Sequence, residues 1–370
     1  MRQSQLREDL SNRAAFDMRK EPDPHQPAIL GHGSTGRQKM HRIVETLTYV
    51  ALQIGVAAER VAIRVLPRRW LLALFNGIAD VGFHLIRGFR ERSTRNLKHA
   101  LGSRLNDREI SEIVRGSLRN FFRSFIELGL AVESGLEPIR AEIPVSGLEH
   151  LKAALAKGRG VIALSAHLGN FLLVGTRLAA EGRPINVLIN QARNKKIAEL
   201  RSRYRTRIGQ RTIPARPRKE AFRKLVQVLR QNEIAIMIAD EFRSGSGIYV
   251  PFFGRTVIAR RGPATLALRT GAAVVPAYLV RNGAGELRLV IEPELELSRT
   301  GETKMDVVEN ALRMTQWLEK TVRSYPDQWN WMNIHWQKTS PAALVKKDRQ
   351  DENLEASVVR KKPLQQEETK

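Results

Sequence analysis

The sequence predicts an α/β fold: a mixed sheet flanked by helices, preceded by a helical segment of different character. Three observations predict it. From about residue 150, short apolar runs alternate with helical patterns, the rhythm of a sheet with crossover connections. The last two runs, joined through "RNGAGE", read as an antiparallel hairpin at the sheet edge. The 370 residues are 42% hydrophobic, enough for a sizeable core.

The elements follow in order. Residues 1–40 are polar and mixed in charge, with no apolar run of the kind a cleavable signal carries. Within them "DPHQPAILGHGSTG" reads as disordered linker. Two apolar segments come next, "LTYVALQIGVAA" (47–58) and "WLLALFNGIADVGFHLI" (70–86). The first is short and bounded by Glu45 and Glu59. The second contains Asn76, Asp80 and His84. A bilayer span needs about 20 predominantly apolar residues, so neither is a clean span. Arg68, Arg69 and Trp70 open the second segment, and Arg87, Arg90 and Arg92 follow it. Such flanks suit a helix lying in a membrane interface; a helical hairpin packed on the body is the other reading.

Residues 107–132 carry Ile110, Ile113, Val114, Leu118, Phe121, Phe122 and Phe125 at helical spacing, with Asp107 as the expected N-cap. Strands are expected at 161–164, 185–189, 234–239, 274–280 and 287–291. The polar C-terminal stretch reads as a disordered tail. The resulting division is a polar tail (1–40), a membrane-associating helical segment (41–92), a catalytic domain (93–340) and a charged tail (341–370).

Cysteine is absent, which removes disulfides, thiolate metal sites and cysteine nucleophiles. The net charge is +24, and residues 41–340 carry +21 of it, with 48 Lys/Arg against 27 Asp/Glu. The basicity therefore belongs to the folded body. It favours an anionic partner: a membrane surface, an acidic protein or nucleic acid. No helix-turn-helix, zinc or aromatic RNA-binding pattern supports the last.

The stretch that points to chemistry is "GVIALSAHLGNFL", residues 160–172. In open α/β sheets ligands bind beyond the carboxyl ends of the strands. His167 follows an expected core strand directly, so it should project into that crevice. Asn170 is a reasonable N-cap for the helix that follows.

"GRGVIALSAHLGNF" resembles the first motif of the bacterial lipid A biosynthesis acyltransferases, within the wider glycerophospholipid acyltransferase group. The likeness continues, in that family's order, through "RSTRNLKHAL", "IPVSGLEHLKAALAKGRGVI", "IMIADEF" with "VPFFGR", "GPATLALRTGAAVVPAYLVR" and "PDQWNWMNIHWQK". It covers most of residues 90–336. The resemblance implies the mixed sheet of that group. It also implies transfer of an acyl group from a thioester, on acyl carrier protein or coenzyme A, to a lipid acceptor at the cytoplasmic face of the inner membrane. No cofactor and no metal are implied. His167 would be the general base.

Two departures from the family pattern stand out. The family places Glu or Asp five residues after the histidine; this chain has Leu172. Leucine can neither accept a hydrogen bond from imidazole nor stabilise imidazolium. Either another carboxylate orients the ring, or the base works alone, or the chain is a lipid-binding protein with impaired catalysis. Asp240 and then Glu241 are the best replacements, because "IMIAD" ends another expected core strand. Many relatives also carry an arginine at about Asn190, where Arg193 lies nearby as a phosphate ligand. Phe252, Phe253 and Gly254, with Arg260 and Arg261 after them, offer apolar surface beside cations, suited to an acyl chain near an anionic head group. The phenylalanines also suit core packing. Trp329, Trp331 and Trp336 read as core or interface anchors.

Overall fold

The computed structural model describes residues 35–102, 104–192, 194–242 and 247–337. The tail expectations for 1–34 and 341–370, and Arg193, lie outside the described residues. Four helices come first: α1 (Thr35–Val65), α2 (Arg68–Leu85), α3 (Arg87–Leu101) and α4 (Asp107–Ser134). The first begins six residues inside the stretch read as a tail, and the boundary at residue 92 falls within α3. Helix α4 starts from Asn106, not Asp107. Asn106 accepts from the Glu109 backbone and Glu109 reaches back to the Asn106 N–H, a capping box.

Helix α2 shows two faces. Leu71, Ala79 and Phe83 are buried. Asp80 is fixed to α4 by two bonds from Arg119, of 2.5 and 2.7 Å. Trp70, Leu74, Ile78, Val81 and Leu85 form the opposite stripe and are exposed. No single helix among the described residues is long and apolar enough to cross a membrane. The α2–α3 pair, bent by 85°, passes that test only when the two are taken together.

After α5 (Leu136–Glu142) the chain builds its sheet: β1 (Val145–Ser146), α6 (Leu148–Ala156), β2 (Val161–Ser165), α7 (Val174–Ala179), β3 (Ile185–Ile189) and α8 (Lys195–Arg207). It continues through β4 (Gln210–Pro214), α9 (Arg218–Arg230) and β5 (Ile234–Ile238). A separate hairpin follows, β6 (Ile248–Phe252) and β7 (Arg255–Ala259). Then come α10 (Gly262–Thr270), β8 (Ala273–Arg281), β9 (Leu287–Ile291) and α11 (Thr303–Ser324).

The strand order is β1-β9-β8-β2-β5-β3-β4. Strands β2, β3, β4, β5 and β8 are mutually parallel, joined by helical crossovers, and β9 runs antiparallel to β8. The β8–β9 hairpin forms as expected, but β1 pairs outside it, so it does not end the sheet. Strand β2 is central and buried on both faces. Its Ile162 and Leu164 enter one core with α9, α10 and α11; Val161 and Ala163 enter the other with α6 and α7. The pattern read at 161–164 as a buried strand is this alternation with no solvent face.

Several elements do not show in the apolar rhythm, and strand β4 and the β6–β7 hairpin say why. Strand β4, "QRTIP", is an edge strand with exposed Arg211 and too few apolar residues to announce itself. The "VPFFGR" loop is in fact a tight hairpin. Phe252 pairs with Arg255, and the two turn residues have positive φ, +49° at Phe253 and +72° at Gly254. That is the backbone a two-residue hairpin turn demands.

Candidate active site

The crevice is set by sheet register. In the β2–β5 pair Leu164 lies opposite Met237 and Ser165 opposite Ile238. Two residues further along each strand, the same register brings His167 opposite Asp240. The Ala239 N–H still reaches the Ser165 carbonyl at 2.8 Å, so the ladder persists past the strand ends. Neighbouring strands are separated by about 4.8 Å, a span that an imidazole and a carboxylate bridge easily.

Asp240 Oδ1 lies 2.8 Å from His167 Nδ1, and Oδ2 accepts the His167 backbone N–H at 2.8 Å. The same Oδ2 accepts the Trp329 indole N–H at 2.7 Å. Asp240 is 4% exposed, whereas the His167 side chain is 24% exposed. Burial alone would push the Asp240 carboxyl up. The His167 charge and the bonds from the imidazole, the Trp329 indole and the His167 backbone outweigh it, and the carboxyl lies below the usual range. An ionised Asp240 requires Nδ1 to be protonated, and in the neutral imidazole the lone pair is then on Nε2. The Phe171 ring meets the imidazole edge-on at 4.8 Å.

The turn after β2 is equally constrained. Gly169 has φ +55°, and a Cβ there would stand 1.9 Å from the Leu279 carbonyl oxygen. Only glycine fits. The Gly169 N–H bonds the Gln328 carbonyl and the Asn170 N–H bonds that of Leu279.

The remaining candidate residues are dispersed. Glu241 follows Asp240 on the loop and is half-buried; Asp240 is the one that meets the imidazole. Asn170 is not the helix cap: α7 starts from Leu173, and Asn170 is completely buried with its amide on Glu127. Phe252 and Phe253 are buried too, in an aromatic cluster with Phe242, Trp329, Trp331 and Trp336, which is the core-packing alternative. Gly254 sits exposed at the hairpin tip, and Arg260 and Arg261 lie half-buried and exposed in the link to α10. Asn190 is exposed after β3. Leu172 is half-buried, with its carbonyl held by Gln210. No group of His, Asp and Glu among the described residues could hold a metal.

The residue that sequence reading missed is Trp329. It reads as a core anchor, and it is one, yet its N–H also orients Asp240. The "RNLKHAL" segment holds it indirectly: Asn96 donates to the Trp331 carbonyl at 2.7 Å and accepts from the Trp336 indole at 3.0 Å.

The comparisons agree with one another. The chain is 25% identical to a phosphatidylinositol mannoside acyltransferase of Mycolicibacterium smegmatis over 284 residues, 76% of this chain and 90% of that protein. It is 26% identical to the lipid A biosynthesis palmitoleoyltransferase of Escherichia coli over 237 residues, 63% of this chain and 74% of that one. It is also 26% identical to a lipid A biosynthesis acyltransferase of Haemophilus influenzae over 188 residues, covering 50% and 56%. The family model described as bacterial lipid A biosynthesis acyltransferase matches residues 37–338, a span that takes in the β2 turn, Asp240 and Trp329. The protein is thus an acyltransferase, and it belongs to the bacterial lipid A biosynthesis acyltransferase family.

Proposed function

We propose that the protein is a membrane-associated enzyme that moves a fatty acyl group from a thioester, on acyl carrier protein or coenzyme A, to a hydroxyl of a lipid acceptor, with His167 as general base oriented by Asp240. The observation that carries this reading is the 2.8 Å contact between Asp240 Oδ1 and His167 Nδ1, on a ring still open to solvent. The acceptor oxygen attacks the thioester carbonyl carbon as its proton passes to Nε2. The C–S bond then breaks, and the departing thiolate takes that proton from the imidazolium. The buried carboxylate stabilises the imidazolium in between. Asp240 stands where it can supply the acid that Leu172 cannot, which answers the one motive, Leu172, for reading the chain as an impaired lipid-binding protein. The relatives' names point to phosphatidylinositol mannosides or lipid A precursors as acceptors to try first.

Membrane association rests on surface chemistry. The large apolar side chains that are exposed among the described residues all fall between Val50 and Phe125. Val50, Ile54, Val61 and Val65 line α1; Trp70, Leu74, Ile78, Val81 and Leu85 line α2, with Val65 at 71% and Leu85 at 77% exposure. Exposed apolar side chains on both helices, beside Arg68, Arg69 and Arg87, suit helices lying in the headgroup boundary, at the cytoplasmic face of the inner membrane. Residues 195–230 add 13 Lys/Arg against 2 Asp/Glu, a surface for anionic headgroups or an acidic carrier.

The test is His167→Ala in purified protein. Palmitoyl-coenzyme A and palmitoyl-carrier protein serve as donors, with phosphatidylinositol mannoside and a lipid A precursor as acceptors, and products are read by mass spectrometry. Turnover should fall about 10²–10⁴-fold with an unchanged thermal transition. Unchanged turnover would remove His167 from the chemistry.

A further inference from the structure

Helix α4 carries a polar stripe where a buried helix face should be apolar. Ser117, Asn120, Ser124 and Glu127 follow helical spacing, and all four are buried. Each is aimed at the chain around the histidine. Ser117 donates to the Trp329 carbonyl at 2.6 Å. Asn120 donates to the Gly169 carbonyl at 2.9 Å and to that of Gln328 at 3.1 Å. Ser124 donates to the Gly169 carbonyl at 3.3 Å. Glu127 accepts the Asn170 amide at 2.7 Å.

Behind Glu127 stands Arg281, the last residue of β8. Its Nη1 and Nη2 donate to the two Glu127 oxygens at 2.5 and 2.8 Å, and its Nε donates to Asn120 at 2.9 Å. Its backbone N–H and carbonyl are both taken by the Gln328 side chain. The side chains of Glu127 and Arg281 are 4% and 5% exposed. A buried ion pair is a poor source of net stability, because removing both charges from water costs several kcal/mol. Here the pair fixes the two residues that follow Leu168, while Ser117 holds the backbone of the tryptophan bonded to Asp240.

We propose that the buried Glu127–Arg281 pair is a positioning element for the reaction: through Asn170 and Gly169 it sets the His167 ring against Asp240. The proposal rests on the His167–Asp240 reading. Its consequence is that the pair governs turnover more than binding or folding.

Two variants test it beside His167→Ala. Glu127→Gln keeps the shape but removes the charge that gathers Arg281 and Asn170. The double variant Glu127→Leu/Arg281→Met replaces the pair with apolar groups of similar size, an exchange that often leaves stability unchanged. Assays use palmitoyl-coenzyme A and palmitoyl-carrier protein with the two acceptors above, and proton NMR follows the far-downfield His167 Nδ1–H resonance in the full-length protein. The expected result is a kcat lowered at least about tenfold in Glu127→Gln with KM within about twofold, and a displaced or lost resonance in both variants. A kcat within twofold of the parent and an unmoved resonance in Glu127→Gln overturn the proposal, whether or not the double variant folds. If His167→Ala itself retains turnover, the dyad reading fails instead, a result read independently of the pair.

Discussion

The turn after β2 and the outer face of α1 and α2 solve opposite problems. Around the turn, charged and amide side chains are buried, and they are paired: Asp240 with His167 and Trp329, Glu127 with Arg281 and Asn170. Along α1 and α2, valines, leucines, isoleucines and a tryptophan face outward. Buried polar groups are tolerated only with partners, and exposed apolar stripes are tolerated where another apolar phase covers them. The difference teaches where each region gets its stability. The crevice is satisfied internally for the most part, with Ser165 Oγ and Asn170 Oδ1 unpartnered among the described residues, and it should be rigid in water. On the membrane reading proposed above, the helical face is satisfied against a lipid phase.

That comparison can be broken or sharpened by substitution. The largest effect on the crevice should come from Gly169→Ala, whose methyl group would meet the Leu279 carbonyl. A loss of more than about 2 kcal/mol in chemical denaturation is expected, together with lost turnover. Parent-like stability would mean that the turn adapts and the crevice is softer than argued.

The helical face should respond in partitioning and not in folding. Leu74→Asp with Ile78→Asp places two charges on the exposed stripe of α2. The variant should move from the membrane pellet toward the soluble fraction, with its melting temperature in detergent nearly unchanged. Parent protein released completely by high salt alone would leave only electrostatic attachment.

A smaller effect lies where the two regions meet. Glu59 of α1 packs over Gly129 of α4, and its Oε1 has no hydrogen-bond partner among the described residues. Burial pushes its carboxyl up to about 7 from an ordinary 4.5. A folded-state pKa above the unfolded one means stability that is full below about pH 4.5 and is lost as pH rises through about 7. Glu59→Gln should therefore melt above the parent at pH 8 and alongside it at pH 4. Equal melting at both values would mean that Glu59 stays hydrated.

Much of the sheet was legible because its strands are rich in apolar residues: 185–189 and 287–291 match the observed strands residue for residue. Strand β4 escaped notice because an edge strand with Arg211 and Thr212 carries no apolar run. His167 and Asp240 could be paired from topology alone, since both follow core strands. The register that makes them adjacent is a tertiary fact. For Phe252 and Phe253 the sequence left core packing and acyl-chain contact both open, because "FF" beside arginines looks alike whether it packs inward or outward. Glu127, Arg281 and the second role of Trp329 left no local signal, as their partners lie up to 212 residues away.

The central claim is that Asp240 holds the imidazole where the family's acid has become Leu172. Three donors converge on its two oxygens: the imidazole Nδ1–H, the His167 backbone N–H and the Trp329 indole. Asparagine has one such oxygen. If that oxygen serves the backbone and indole, its NH₂ group faces Nδ1 and forces the proton onto Nε2, the wrong tautomer for a base. The direct measurement is kcat for Asp240→Asn beside Leu172→Glu, each shown to be folded. The account predicts a fall of at least about 10²-fold for the first, within the range spanned by general bases, and a change within about twofold for the second. A sharp gain in Leu172→Glu with little loss in Asp240→Asn would contradict it.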